Sequence, residues 1–152
     1  STSSRGLGDV YKRQVMDAIV QRKEESLEYK ERAIEAFNVQ NFKRAEQHLS
    51  SAIDLDPENH VFYSNRAAAY MAMEKFEKAL KDANECVRLQ PTWAKGYSRR
   101  AAAKFHLGDL QAAKIAYSKA WDLEPANVKT KADLEHVLSE IAGMRVVLPD
   151  RN

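Results

Sequence analysis

The stretch Tyr63-Ser64-Asn65-Arg66-Ala67 decides how this chain is read, because 34 residues later stands Tyr97-Ser98-Arg99-Arg100-Ala101. The same step joins Pro57, Pro91 and Pro125, and it reaches back to Tyr29, Arg32 and Ala33. Ala45, Ala79 and Ala113 keep the register, as do Leu55, Leu89 and Leu123. Phe42, Phe76 and Leu110 form another column, and Ala52, Cys86 and Ala120 another. One coincidence of this kind would mean little. So many columns of like residues at one spacing mean an internal repeat.

Working outward, each unit divides into two amphipathic helices. The apolar spacing predicts first helices over about 23–40, 60–73 and 93–107, and second helices over 42–55, 76–89 and 110–123. Gln40-Asn41, Glu74-Lys75 and Gly108-Asp109 are the polar turns between them. Each proline is expected at the start of the following helix, where a missing N–H costs nothing. Asp56 is then the expected N-cap. The alanine columns let paired helices approach closely. No unit buries its apolar face alone, so the three units are expected to stack into an array. Leu134, Val137, Leu138 and Ile141 predict a further helix over about 127–143 that covers the third unit. Residues 144–152 are left as a C-terminal tail.

At the other end, residues 1–8 are small and polar and contain glycine, and are expected to be a disordered or appended tail. Residues 9–22 form a helical extension with Val15, Met16, Ile19 and Val20 on one face. That stripe is expected to pack on its own chain or on a symmetry-related copy. Insertion into another groove is the alternative.

Composition agrees with an all-α domain. Five glycines and four prolines in 152 residues are too few for an all-β sandwich, and 44% hydrophobic residues are too many for a disordered linker. With 24 basic against 22 acidic side chains the formal charge is +2, which argues against a general polyanion binder such as a nucleic-acid protein. A single cysteine, Cys86, excludes an internal disulfide and fits a reducing compartment. No apolar run approaches the roughly 20 residues that span a bilayer. The start lacks a signal-peptide core, so a cytoplasmic location without membrane attachment is expected.

A 34-residue helix–turn–helix unit with these alanine and proline columns resembles the tetratricopeptide repeat. The resemblance covers about 23–125 plus the covering helix. It implies an all-α, right-handed superhelix of three repeats with a covering C-terminal helix over 23–143. Tyr63 to Tyr70, preceded by Asn59-His60-Val61, and Trp93 to Arg100 are similar to the dicarboxylate-clamp repeats of co-chaperone adaptors. In that family the groove grips the C-terminal Glu-Glu-Val-Asp of the 70-kDa or 90-kDa heat-shock chaperones. The likeness favours the 70-kDa partner. Residue by residue, the clamp pattern falls on Lys30, Asn65, Lys95 and Arg99. A fifth clamp position falls on Ile34, where the family has Asn. Ile cannot donate to a carboxylate.

The spacing itself supports that mapping. Lys95 and Arg99 are four apart and share a helix face, as do Lys30 and Ile34. A peptide ending in Asp presents two carboxylates. Lys30 and Asn65 are assigned to the terminal one, Lys95 to the Asp side chain, and Arg99 to a peptide carbonyl or an upstream acid. The resulting expectation is a non-catalytic adaptor with no cofactor and no metal, a monomer or weak dimer. The rival readings are a scaffold of the same fold with a different groove ligand, and the targeting module of a phosphatase, prolyl isomerase or ubiquitin ligase.

Other residues carry blander expectations. The column Arg32, Arg66 and Arg100 suggests a second anion site, but stems packed between helices with heads on water or an acid fit it better. Tyr29, Tyr63 and Tyr97 are expected to pack between repeats, and Phe37, Met71 and Phe105 to be core. Trp93 and Trp121 are candidate anchors, with packing preferred. Cys86 is a small buried residue. His48, His60, His106 and His136 lack ligand spacing, and Asp54, Asp56 and Glu58 sit at a helix junction without the glycine of a calcium loop.

Overall fold

The computed structural model describes residues 2–147, which form seven α-helices. The all-α expectation holds for these residues. They divide into two compact units, the first ending at Asn59 and the second beginning at His60.

The first unit is a helical hairpin of α1 (Thr2–Asn38) and α2 (Phe42–Leu55). Ala33 and Ala36 of α1 and Ala45, Leu49, Ala52 and Ile53 of α2 are buried, so the alanine columns do bring the backbones close. Phe37 and Phe42 meet edge to face at 5.8 Å across the turn. Residues 2–8, expected as a disordered tail, are the first turns of α1. Gly6 and Gly8 each cost about 1 kcal/mol of helix propensity, and no proline interrupts the run, so a helix propagates through them. Val15, Met16, Ile19 and Val20 are 40–58% exposed, so this face of α1 is not packed within the unit as expected.

The second unit holds α3 (His60–Ala72), α4 (Phe76–Leu89), α5 (Ala94–His106), α6 (Leu110–Leu123) and α7 (Val128–Val147), each packed on the next. Ala67, Ala79 and Ala103 form one apolar cluster with Tyr70, Met71 and Leu80 around it. Ala101, Ala113, Ala116, Tyr117 and Val137 form another, closed by Phe105, Leu134 and Ile141. Thus α7 does cover the third repeat. Leu138, counted in its stripe, is 45% exposed instead. Residues 144–147 continue α7, whereas residues 148–152 of the expected tail lie outside the described residues.

The hairpin turns repeat as the sequence does. Gln40, Glu74 and Gly108 all have positive φ, at 57°, 57° and 85°. In each, the following N–H reaches five residues back, as Asn41 to Ala36, Lys75 to Tyr70 and Asp109 to Lys104. This pattern satisfies the last carbonyls of the helix and reverses the chain. Asn41 and Asp109 then cap the second helices, accepting from the N–H groups of Arg44 and Ala112 at 3.1 Å.

The prolines are placed differently from expectation. Pro57, Pro91 and Pro125 lie in the turns between repeats, three residues before the next helix begins. Asp56 is accordingly the C-cap of α2, its N–H bonded to the Ala52 carbonyl at 2.9 Å, and not an N-cap. The turn prefers proline because φ near −65° suits its second residue. Asn127 caps α7, its side chain accepting from the Thr130 N–H at 3.1 Å.

Gly96 marks a close approach of α5 to α4. A Cβ there would lie 3.2 Å from both Cys86 Sγ and Val87 Cγ2. Cys86 itself is fully buried, and burial pushes its thiol up to about 11. It is a packing residue, as expected, and not a nucleophile.

Candidate functional site

The N-terminal half of α5 builds the principal groove of the second unit. Trp93 is the residue before the helix, and its ring meets that of His60 edge-on at 4.7 Å. Lys95 and Arg99 follow one turn apart, with Ser98 and Ala102 on the same face. Tyr117 of α6 and Asn127, Thr130 and Asp133 at the start of α7 close the far wall. The space enclosed is about 490 Å³.

Arg99 is the unusual member. It lies largely out of water, and this desolvation pulls its guanidinium below its ordinary value. Among the described residues its one hydrogen bond is from Nε to the neutral Ser64 Oγ, at 3.4 Å. No carboxylate pairs with it among the described residues. Lys95 is exposed, and its Nζ lies 5.6 Å from the centre of the Trp93 ring, again without an acid partner. The acids of the groove are already engaged. Asp133 accepts from Lys129 Nζ at 2.7 Å, and Glu124 from the Asn127 side-chain amide at 3.3 Å. The groove therefore offers two cations whose counter-charges are missing.

Tyr117 is buried, and burial, with Asp133 next in weight, raises its phenol well above the ordinary value. It stays neutral and can donate a hydrogen bond into the groove.

The other expected clamp residues are distributed as follows. Asn65 is half-buried on α3, next to the Ser64 that accepts from Arg99, but it does not line the groove with Lys95. Lys30 and Ile34 belong to the first unit and lie one turn apart on α1. Lys30 Nζ is 3.8 Å from the Glu31 carboxylate, a loose surface pair, and Ile34 is 39% exposed. Tyr117, Asn127, Thr130 and Asp133 were not anticipated. The signal for the α7 residues was the Asn-to-Thr spacing of a helix cap at the head of the covering helix. No spacing argument signals Tyr117.

The arginine column splits. Arg66 is held by Asp82 through two bonds, Nε to Oδ2 at 2.7 Å and Nη2 to Oδ1 at 2.8 Å, in keeping with the structural reading. Each arginine also lies over the tyrosine three residues before it: Arg32 over Tyr29, Arg66 over Tyr63 and Arg100 over Tyr97, at 5.1, 5.9 and 5.5 Å. Among the described residues no cluster of His, Cys, Asp and Glu could hold a metal ion. No described helix is long and apolar enough to cross a membrane.

Comparison with known proteins adds to this geometry. Two models described as tetratricopeptide repeat match residues 61–92 and 94–127. No curated protein sequence matches the chain. Among solved structures, the first such domain of Spaghetti (RPAP3), bound to the HSP90 peptide SRMEEVD, is 34% identical. The match covers 79% of this chain and 95% of that one, with a TM-score of 0.77. The first such domain of human RPAP3 is 32% identical over 83% of this chain and 99% of that one, with a TM-score of 0.79. The second domain of human RPAP3, in complex with the HSP70 peptide SGPTIEEVD, is 28% identical over 78% and 97%, with a TM-score of 0.72. The repeat columns, the matching models and this identity over nearly the full length of a solved domain agree: the chain belongs to the tetratricopeptide repeat family.

Proposed function

We propose that this chain is a non-catalytic adaptor that binds the acidic C-terminal segment of a heat-shock chaperone in the groove of Lys95 and Arg99. The observation that carries the reading is Arg99, a desolvated guanidinium with no acid partner among the described residues. A partly desolvated charge with no acid beside it costs the fold free energy, and an arriving carboxylate recovers part of that cost. The peptides bound to the two solved relatives both end in Glu-Glu-Val-Asp, which offers such carboxylates. In this reading Lys95 takes the side chain of the last Asp. Arg99 takes a peptide carbonyl or an upstream acid, and Asn65 takes the terminal carboxylate. The 70-kDa chaperone is the favoured partner and the 90-kDa chaperone the other, and the proposed setting is the cytoplasm.

Titration with the peptides SGPTIEEVD and SRMEEVD tests this, each with a free and with an amidated C-terminus. Binding should require the free terminus and fall by about tenfold or more in Lys95→Ala and Arg99→Ala, with helicity unchanged. Equal binding of the amidated peptides would overturn the clamp. Ile34 favours a second reading, a groove of this fold that takes a different segment, because its side chain is apolar and exposed where the family has Asn. If Ile34 lies in the clamp, Ile34→Asn adds a donor and tightens binding by about two- to tenfold. An unchanged affinity removes Ile34 from the site.

A further inference from the structure

The column of Arg66 and Arg100 has a partner column on the second helices, 16 residues on. In the second repeat that partner is Asp82, which neutralises Arg66. In the third repeat the same position is Ala116. Arg100 therefore has no carboxylate partner among the described residues, and its Nε donates instead to the neutral Asn84 Oδ1 at 2.9 Å. Where the carboxylate would stand there is a hollow of about 360 Å³, lined by Tyr97, Arg100, Ala112, Ile115, Ala116 and Lys119.

The make-up of this hollow is specific. Its floor is alkyl and aromatic. Ile115 is 67% exposed in the middle of α6, a position where a surface helix ordinarily carries a polar side chain. Tyr97 is fixed in place, its hydroxyl donating to the Pro91 carbonyl at 2.9 Å. Arg100 lies 5.5 Å and Lys119 Nζ 6.0 Å from the centre of its ring. Lys119, like Arg100, has no acid partner among the described residues. The hollow is on the face of α5 opposite Lys95 and Arg99.

We propose that this hollow is a second docking site, for an internal acidic segment of a partner protein that carries an aliphatic or aromatic side chain between Asp or Glu residues. The charge complementarity is direct: two cations without counter-charges border an apolar surface. The apolar side chain would lie against Ile115 and Tyr97. The flanking carboxylates would reach Arg100 and Lys119. Such a segment needs no free C-terminus, since the two cations flank the hollow singly and meet side-chain carboxylates. A polyanion without apolar groups would leave the floor uncovered.

The test uses an N-acetylated, C-amidated peptide, Glu-Asp-Glu-Leu-Phe-Glu-Asp, followed by amide chemical-shift changes in the whole chain. Shifts should centre on Tyr97, Ala112, Ile115 and Lys119. Affinity should fall by about tenfold in Ile115→Glu and in Lys119→Gln, two exposed positions that do not support the core. It should be kept in the Lys95→Ala, Arg99→Ala double variant. Shifts confined to the Lys95 groove, or their loss in that double variant, would overturn the proposal. So would equal binding of polyglutamate or of the peptide with Leu-Phe replaced by Ser-Ser, and so would no shift at millimolar peptide.

Discussion

Arg99 sets the strongest tension between stability and function at the scale of a single residue. Its guanidinium is desolvated, and Ser64 supplies one long, neutral hydrogen bond in return. An apolar side chain of similar length would fill the same space without the desolvation cost. Arg99→Met should therefore stabilise the free chain by about 1 kcal/mol while removing acidic-peptide binding. Urea unfolding alongside peptide titration checks both halves. A destabilised Arg99→Met protein would mean that the guanidinium supports the fold, and the case for a waiting anion site would lose its main support.

Turns between helices carry the repeat at the scale of the element. Gln40, Glu74 and Gly108 share a left-handed conformation, although two of the three are not glycine. A Cβ at Gly108 would meet nothing within 4 Å, so Gly108→Ala isolates the backbone term. It should cost about 1 kcal/mol in urea unfolding. The reverse change, Glu74→Gly, should cost nothing and gain up to about 1 kcal/mol. These turns were legible in the sequence because a fixed period puts a polar pair at each one. The buried alanine columns were legible for the same reason. Length and junctions were less so. Nothing in the run up to Asn38 stops a helix, yet two early glycines suggested a tail. The prolines mark the junctions correctly, but a proline suits both a first helical turn and a tight turn, so the periodicity did not choose between them. The groove was half legible. Lys95 and Arg99 share a helix, so spacing alone pairs them. Tyr117 and Asp133 come from two later helices, and only packing brings them to the same wall.

Charge is nearly balanced over the whole molecule, with 24 basic and 22 acidic side chains, so the average field gives little long-range attraction for an acidic peptide. Local charge must do the work, and stability at high pH reports on the core beneath it. Cys86 and Tyr117 are both buried beside Arg99, and burial raises both above their ordinary values, the thiol from 9.0 to about 11. For each group the folded state favours the neutral form, while the unfolded chain releases its proton sooner. For Cys86 the stability this contributes is complete below pH 9.0 and is lost as pH rises through about 11, and for Tyr117 the loss begins at higher pH. Arg99 opposes the shift at both groups, because its positive charge favours the thiolate and the phenolate. Thermal unfolding followed from pH 8 to pH 11 should show a falling midpoint, with the fall smaller in Cys86→Ala. That variant replaces the thiol with the residue found at the equivalent positions Ala52 and Ala120, so its packing cost is small. In Arg99→Met the opposing charge is gone, and the alkaline fall should become steeper. An alkaline profile identical in the wild type and both variants would show that neither group links the core to pH.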